Sequence, residues 1–388
     1  MKKVSLTSAL FSTGLCMVLP AHADTPDLKS QVDALSKQLN QVQQELKEVK
    51  SQNEALATQQ ENALSASKSK ADNLRVTGYG EVVYSRPTNM SEYTKADLAR
   101  AVFSLNYRYD DKTRFVSEFE LEHAVTSAED AGEFEAEQFY IDHEINNSVS
   151  VKGGLFLIPT GFLNTSHEPP RFFGVHRNFV ETIIIPSTWR EGGIAAHGTT
   201  ANGLAWDVGL TTGMNIANWE INLEVPRFTT ADDLEDAGPF QQTHQELANA
   251  NAQHLANYLS LNYQALSGFV VGGSVFVNNM GKFQPDTPEN TAALAELHSR
   301  YVAGDLDISA LYAQGRISDT EEVNRLYPGA SNLIPAKFYG GYLQAAYSVW
   351  KNGNSRLTPF ARWENFNPAE QIDGAATDEK TSAIKVWT

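Results

Sequence analysis

The 388-residue sequence contains one cysteine, Cys16, and it lies in the first two dozen residues. An exported form lacking that segment has no thiol, so disulfides are excluded as its source of stability. After the N-terminal segment no apolar run reaches the roughly 18 residues that a membrane-spanning helix needs, which excludes a helical membrane protein. Positive charge is scarce: 30 Lys and Arg stand against 47 Asp and Glu, a net charge of -17. Nucleic acid is therefore not an expected partner, because its phosphates need a basic surface. The same balance disfavours capture of anions in general.

The chain opens MKKVSLTSALFSTGLCMVLPAHA, with basic Lys2 and Lys3, an apolar stretch and a small-residue exit at Ala21-His22-Ala23. This is the pattern of a signal peptide over 1–23, cut before Asp24, and it predicts export. Thr13-Gly14-Leu15 before Cys16 lacks the small residues of a lipoprotein signal. Mean hydropathy is -0.35 although aromatic residues make up 10% of the chain.

From Leu28 the apolar residues fall at Val32, Leu35, Leu39, Val42, Leu46, Val49 and Leu56, the 4-3 spacing of a coiled-coil seam. Val32, Leu39, Leu46 and Asn53 take the a positions; Leu35, Val42, Val49 and Leu56 take d. Leucine at a with valine at d disfavours a dimer, so a trimer is expected, with Asn53 fixing register. A coiled coil over 24–66 and a polar linker over 67–73 follow.

Beyond residue 73 the apolar period drops to two. Phe103, Leu105 and Tyr107 alternate with Ser104, Asn106 and Arg108, and Phe115, Phe119 and Leu121 with Arg114, Glu118, Glu120 and Glu122. Such segments are strands with one apolar face. About fourteen are expected, at 74–85, 98–109, 113–122, 134–143, 149–157, 191–197, 203–211, 254–264, 269–278, 294–303, 305–315, 338–349, 356–366 and 379–387. Short turns alternate with long loops at 86–97, 124–133, 158–190, 212–253, 279–293, 316–337 and 367–378. That rhythm predicts an all-β transmembrane antiparallel barrel over 74–388, with lipid outside and water inside. An even strand number puts both ends on the short-turn side, and hence the coiled coil in the periplasm.

RVTGYGEVVYSR (75–86), DLARAVFSLNYRYDD (97–111), FVSEFELEHA (115–124), RLTPFARWENF (356–366) and above all GLFLIPTGFLNTSHEPPRFFGVHRNFVETIIIPSTWREGG (154–193) carry a resemblance. They resemble the phosphate-selective porin O/P family of Gram-negative outer membranes. The resemblance implies a homotrimeric, sixteen-stranded barrel whose third long loop folds into the lumen. This sequence departs from it by ending at AIKVWT, without a terminal aromatic residue and two strands short. The expectation is that the sequence is truncated after Thr388.

The third loop, 158–190, contains LNTSHEPPRFFGVHR, which has the residue types of a chemical centre. A helical metal motif is broken by Pro169-Pro170, and Ser166-His167-Glu168 are consecutive, so their side chains diverge. No catalytic residue, metal ligand or cofactor is therefore expected. Prolines stiffen the loop and aromatic residues can pack it on a wall. Glu168, Arg171, Arg177, Glu181 and Arg190 are then candidates for charges at a pore constriction, or for anchors of the loop. On the strands, the pleat makes Arg75, Glu81, Arg100, Arg108, Arg114, Glu118, Glu120, Glu122 and Lys152 lumen-facing candidates. The expected function is passive diffusion of small hydrophilic solutes or ions. Phosphate or another anion is included by resemblance, although no ladder of arginines with a lysine cluster is identifiable. Two alternatives stay open: an outer-membrane barrel hydrolase, and a tether whose coiled coil binds peptidoglycan or a periplasmic partner.

Overall fold

The computed structural model describes residues 73–89, 91–127, 132–221, 238–375 and 381–388, with 33, 36, 37, 40, 41, 43 and 44. The signal peptide over 1–23 lies outside these residues, as do the Leu and Val seam of 24–66 and the linker up to 72. The seven N-terminal residues described are helical and exposed, and all are polar. The chain divides into two compact units, Met1–Asp72 and Asn73–Thr388.

The second unit is built on one antiparallel sheet of fourteen strands. The first seven are β1 (Leu74–Ser85), β2 (Lys95–Arg108), β3 (Thr113–Glu122), β4 (Phe134–Asn146), β5 (Val149–Leu157), β6 (Arg190–Thr199) and β7 (Leu204–Thr211). They continue with β8 (Ala256–Leu266), β9 (Phe269–Lys282), β10 (Glu289–Ala303), β11 (Leu306–Ile317) and β12 (Lys337–Tyr347). A separate two-stranded hairpin, β13 (Trp350–Asn352) and β14 (Ser355–Leu357), precedes β15 (Phe360–Gln371) and β16 (Ile384–Trp387). Each strand of the large sheet pairs with its neighbours in sequence, so the whole sheet is a meander.

Its outer face carries exposed apolar side chains on successive strands: Phe103, Phe134, Ile141, Val151, Ile194, Val208, Leu261, Val277, Leu297, Tyr312 and Leu343. Phe119 lies between Phe103 and Phe134 in a stack of rings on β2, β3 and β4, with centroids 5.5 and 6.2 Å away. The other face is buried and largely polar where strands pass it, at Glu120, Ser274, Asn278, Glu296, His298, Arg362 and Glu364. An apolar outside with a polar inside inverts the pattern of a water-soluble sandwich and fits a sheet whose outer solvent is lipid.

The closed cylinder expected from the strand pattern is not what the described residues form. β1 pairs with β2 alone and β16 with β15 alone, so no ladder joins the sheet's two edges. Closure requires a full-length partner for β1, and β16 contributes four paired residues to β15 and none to β1. Among the described residues the large sheet has fourteen strands, where the family resemblance implied sixteen. The strand expected at 356–366 is displaced to Phe360–Gln371 because the preceding residues fold back as the β13–β14 hairpin. Pro368 falls where the β12–β15 register shifts, the kind of position a sheet tolerates for a residue without an N–H.

Candidate functional site

The long connection 158–189 between β5 and β6 does not remain near its own strands. Its ends are tied together by Asn164, whose Nδ2 donates to the Ile158 and Trp189 carbonyls at 2.7 and 2.8 Å, while its Oδ1 accepts from Trp189 N at 2.6 Å. From this base the loop crosses the inner face of distant strands. The Phe162 ring packs 4.4 Å from His298 of β10, Trp189 lies 4.5 Å from Phe276 of β9, and Phe179 stacks 5.7 Å from Phe366 of β15. A five-residue π-helical turn, Val180–Ile184, sits over Gly340 of β12. A Cβ on Gly340 would stand 2.8 Å from Ile184 Cγ1 and 3.1 Å from Val180 Cγ1, so glycine permits the close approach. Val180, Ile184, Ile185 and Trp189 are fully buried in one apolar cluster with Phe156, Phe240, Phe276 and Phe338. At roughly 1.5–3 kcal/mol per buried large side chain, this packing alone can hold the loop inside the sheet.

Opposite that apolar side, the inner face of β1 to β4 and the loop enclose a polar cavity of about 460 Å³. Its carboxylates are Glu81, Asp97, Glu120, Glu122, Glu133, Glu135 and Glu246; its cations are Lys95, Arg100, Arg177 and Arg190, with His123, His167, His176 and His244 also on the wall. Arg100 pairs with Glu120 at 3.0 Å and with Glu81 at 3.2 Å. Arg190 is buried between Glu135 and Glu246, the latter at 3.1 Å. Carboxylates outnumber Lys and Arg on this low-dielectric wall by seven to four.

Two β-bulges shape the wall. The β1–β2 register passes from Glu81 opposite Arg100 to Val82 opposite Leu98, leaving Ala99 as the extra residue. Asp97 and Lys95 are thereby turned to the cavity with Arg100. The β3–β4 register passes from Glu118 opposite Gln138 to Phe119 opposite Ala136, and Glu137 is the extra residue. Strict alternation would place Glu137 and Phe139 on one face. The bulge separates them, so that Glu137 is fully buried while Phe139 is exposed on the outer face.

The lumen-facing candidates fall as follows. Arg100, Glu120, Glu122 and Glu81 line the cavity. Glu118 accepts from Gln138 Nε2 at 2.6 Å. Arg114 donates to Asp142 at 2.9 and 2.6 Å, and Arg108 is opposite it in register, exposed at the end of β2. Lys152 bonds Asp207 at 2.7 Å and lies 4.6 Å over the Phe156 ring. Arg75 is exposed on β1.

Among the loop candidates, Arg171 is exposed and stands 3.6 Å from Glu168. Arg177 donates to Ser187, to Thr188 at 3.2 Å and to the His167 carbonyl at 3.2 Å. Glu181, 2% exposed, accepts from Phe162 N at 2.6 Å, Leu163 N at 2.9 Å, Asn178 Nδ2 at 2.8 Å and the Tyr342 hydroxyl at 2.9 Å. Arg190 is buried as described. His167 Nδ1 faces the Asn164 carbonyl at 3.3 Å and Nε2 faces Glu137 at 3.6 Å, so neither ring nitrogen is directed to Ser166. Sequence reasoning missed Asp97, Glu135, Glu137, Asp142, Asp207 and Glu246. The first three needed the bulges, and Glu246 comes from a loop whose path no periodicity encodes.

No family model matches the chain. It is 26% identical over 322 residues to an uncharacterised protein of Aquifex aeolicus, covering 80% of this chain and 70% of that one. Among solved structures it is similar to OmpF of Salmonella typhi, in a complex with daunomycin, at a TM-score of 0.52 and 13% identity, over 80% of this chain and 84% of that one. It also matches the outer membrane channel DcaP of Acinetobacter baumannii at a TM-score of 0.38 and 10% identity, over 76% and 91% of the two chains. The OmpF likeness is one of fold: an antiparallel, porin-like sheet.

Proposed function

We propose that the chain is an outer-membrane channel of a Gram-negative cell, through which small hydrophilic solutes and ions diffuse passively. The observation that carries this reading is the inversion of polarity across a fourteen-stranded meander, apolar where it faces outward and charged where it faces the cavity. The porin-like fold supports the same reading. The 158–190 segment acts as the constriction, since its apolar half fills one side of the interior and its polar half borders the cavity on the other. The excess of carboxylates on that border favours cations and neutral solutes over phosphate.

The heptads of 24–66 supply a periplasmic coiled coil that helps to hold three copies together. The hydrolase alternative is disfavoured by His167, whose ring nitrogens face Asn164 and Glu137 and not Ser166. Single-channel recording of the full chain in planar bilayers tests the proposal: stepwise current is expected, and a silent bilayer with verified insertion would refute it.

A further inference from the structure

The β3–β4 hairpin and the 158–190 loop bring together a group that solute passage does not require. Glu137, the bulged residue of β4, is 0% exposed, and neither of its carboxylate oxygens has a hydrogen-bond partner. A buried carboxylate without a donor or counter-charge is among the costliest arrangements in a fold. Its neighbours Glu120 and Glu135 are already matched by Arg100 and Arg190. What faces Glu137 is His167, 3% exposed, with Nε2 3.6 Å from Glu137 Oε2.

That distance is too long for a hydrogen bond. It suits two ligands of one ion, since donors about 2.1 Å from a tetrahedral metal stand about 3.4 Å apart. The imidazole is also oriented for such a role. Its Nδ1 lies 3.3 Å from the Asn164 carbonyl, and a carbonyl only accepts, so Nδ1 carries the proton and Nε2 is left toward the carboxylate. Glu118 completes the set: one oxygen from each glutamate and a ring nitrogen of His167 all lie within 4.8 Å of one another. Glu118 is itself held by Gln138 Nε2 at 2.6 Å.

We propose that Glu118, Glu137 and His167 bind a divalent transition-metal ion that fastens the inserted loop to the β3–β4 wall. A mixed imidazole and carboxylate set suits zinc and its neighbours better than calcium or magnesium, which take oxygen alone. The three ligands come from two strands and a loop, so no short motif announces them. Entry is by way of the cavity, whose wall includes His167. The site is independent of whether the cavity conducts.

The test uses the full chain in detergent, stripped with a chelator, dialysed, and titrated with Co²⁺ and then Zn²⁺. Expected are a cobalt ligand-field absorption band saturating at one equivalent per chain, its loss on adding zinc, and a rise in melting temperature with zinc. Glu137→Gln and His167→Gln should each weaken binding at least about tenfold. Should both variants fail to fold, the unsubstituted chain decides alone. Absence of the band and of any zinc-dependent melting shift would overturn the proposal. Undiminished binding in a folded variant would overturn it equally.

Discussion

The hydroxyl of Tyr342, on the inner face of β12, donates to the Glu181 carboxylate at 2.9 Å across 161 residues of sequence. Glu181 also accepts from two backbone N–H groups at the start of its own loop. One carboxylate therefore sets the loop's internal fold and fixes it to the far wall. Tyr342→Phe removes the wall bond alone and should cost about 1.5–3 kcal/mol. Glu181→Ala should cost more, because it leaves the Phe162 and Leu163 amides buried without acceptors. Trypsin cleavage after Arg171 or Arg177, absent or slow in the parent chain, should become faster in the order parent, Tyr342→Phe, Glu181→Ala.

Asn164 makes a second, separable prediction. Its amide donates to two carbonyls and its oxygen accepts from Trp189 N, so the side chain needs both halves. Asn164→Asp keeps the size and turns a carboxylate oxygen toward the two carbonyls. It should destabilise more than Asn164→Ala, by roughly 1–3 kcal/mol, in denaturant melts of detergent-solubilised protein.

The β2–β3 turn carries a pH dependence. Asp110 accepts from Lys112 N at 2.8 Å and Thr113 N at 2.7 Å, and these bonds hold its carboxyl below its ordinary 3.8. A carboxylate lowered by folding stabilises the turn above the unfolded value, and the effect fades as pH falls through the folded one. Amide exchange at Lys112 and Thr113 should therefore be protected at neutral pH and lose this protection only in acid below that ordinary value. Asp110→Asn should abolish the pH dependence.

Removing residues 24–72 separates the two units. If the coiled coil assists assembly and the sheet conducts, the shortened chain should keep its unit conductance while chemical cross-linking yields less trimer. Lost conductance with trimer intact would contradict that division of labour.

Much of the fold was legible because the apolar period of two survives in nearly every strand: all fourteen expected segments overlap a strand of the large sheet. Strand ends were less so. β10 begins at Glu289, five residues before the expected start, because its ladder with β9 runs on to Glu289 opposite Lys282 across a register shift at Asn290 and Thr291, where the simple alternation breaks. The site was legible only in part. Glu118, Glu120 and Glu122 follow from the pleat, and His167 stood out by composition. Glu137 did not, since a bulge shifts the strand by one residue and no local pattern marks it, and the closed cylinder expected from the same pattern is not formed by the described strands.

The central claim is that the acidic inner wall of β1 to β4 borders the path of ions. It is tested most directly by the zero-current potential across a planar bilayer holding the full chain in a KCl gradient. The account predicts a potential of the sign for K⁺ preference, moving toward zero in Glu122→Gln, Glu133→Gln and their double variant. A Cl⁻-selective potential, or a K⁺-selective one unmoved by these substitutions, would contradict it.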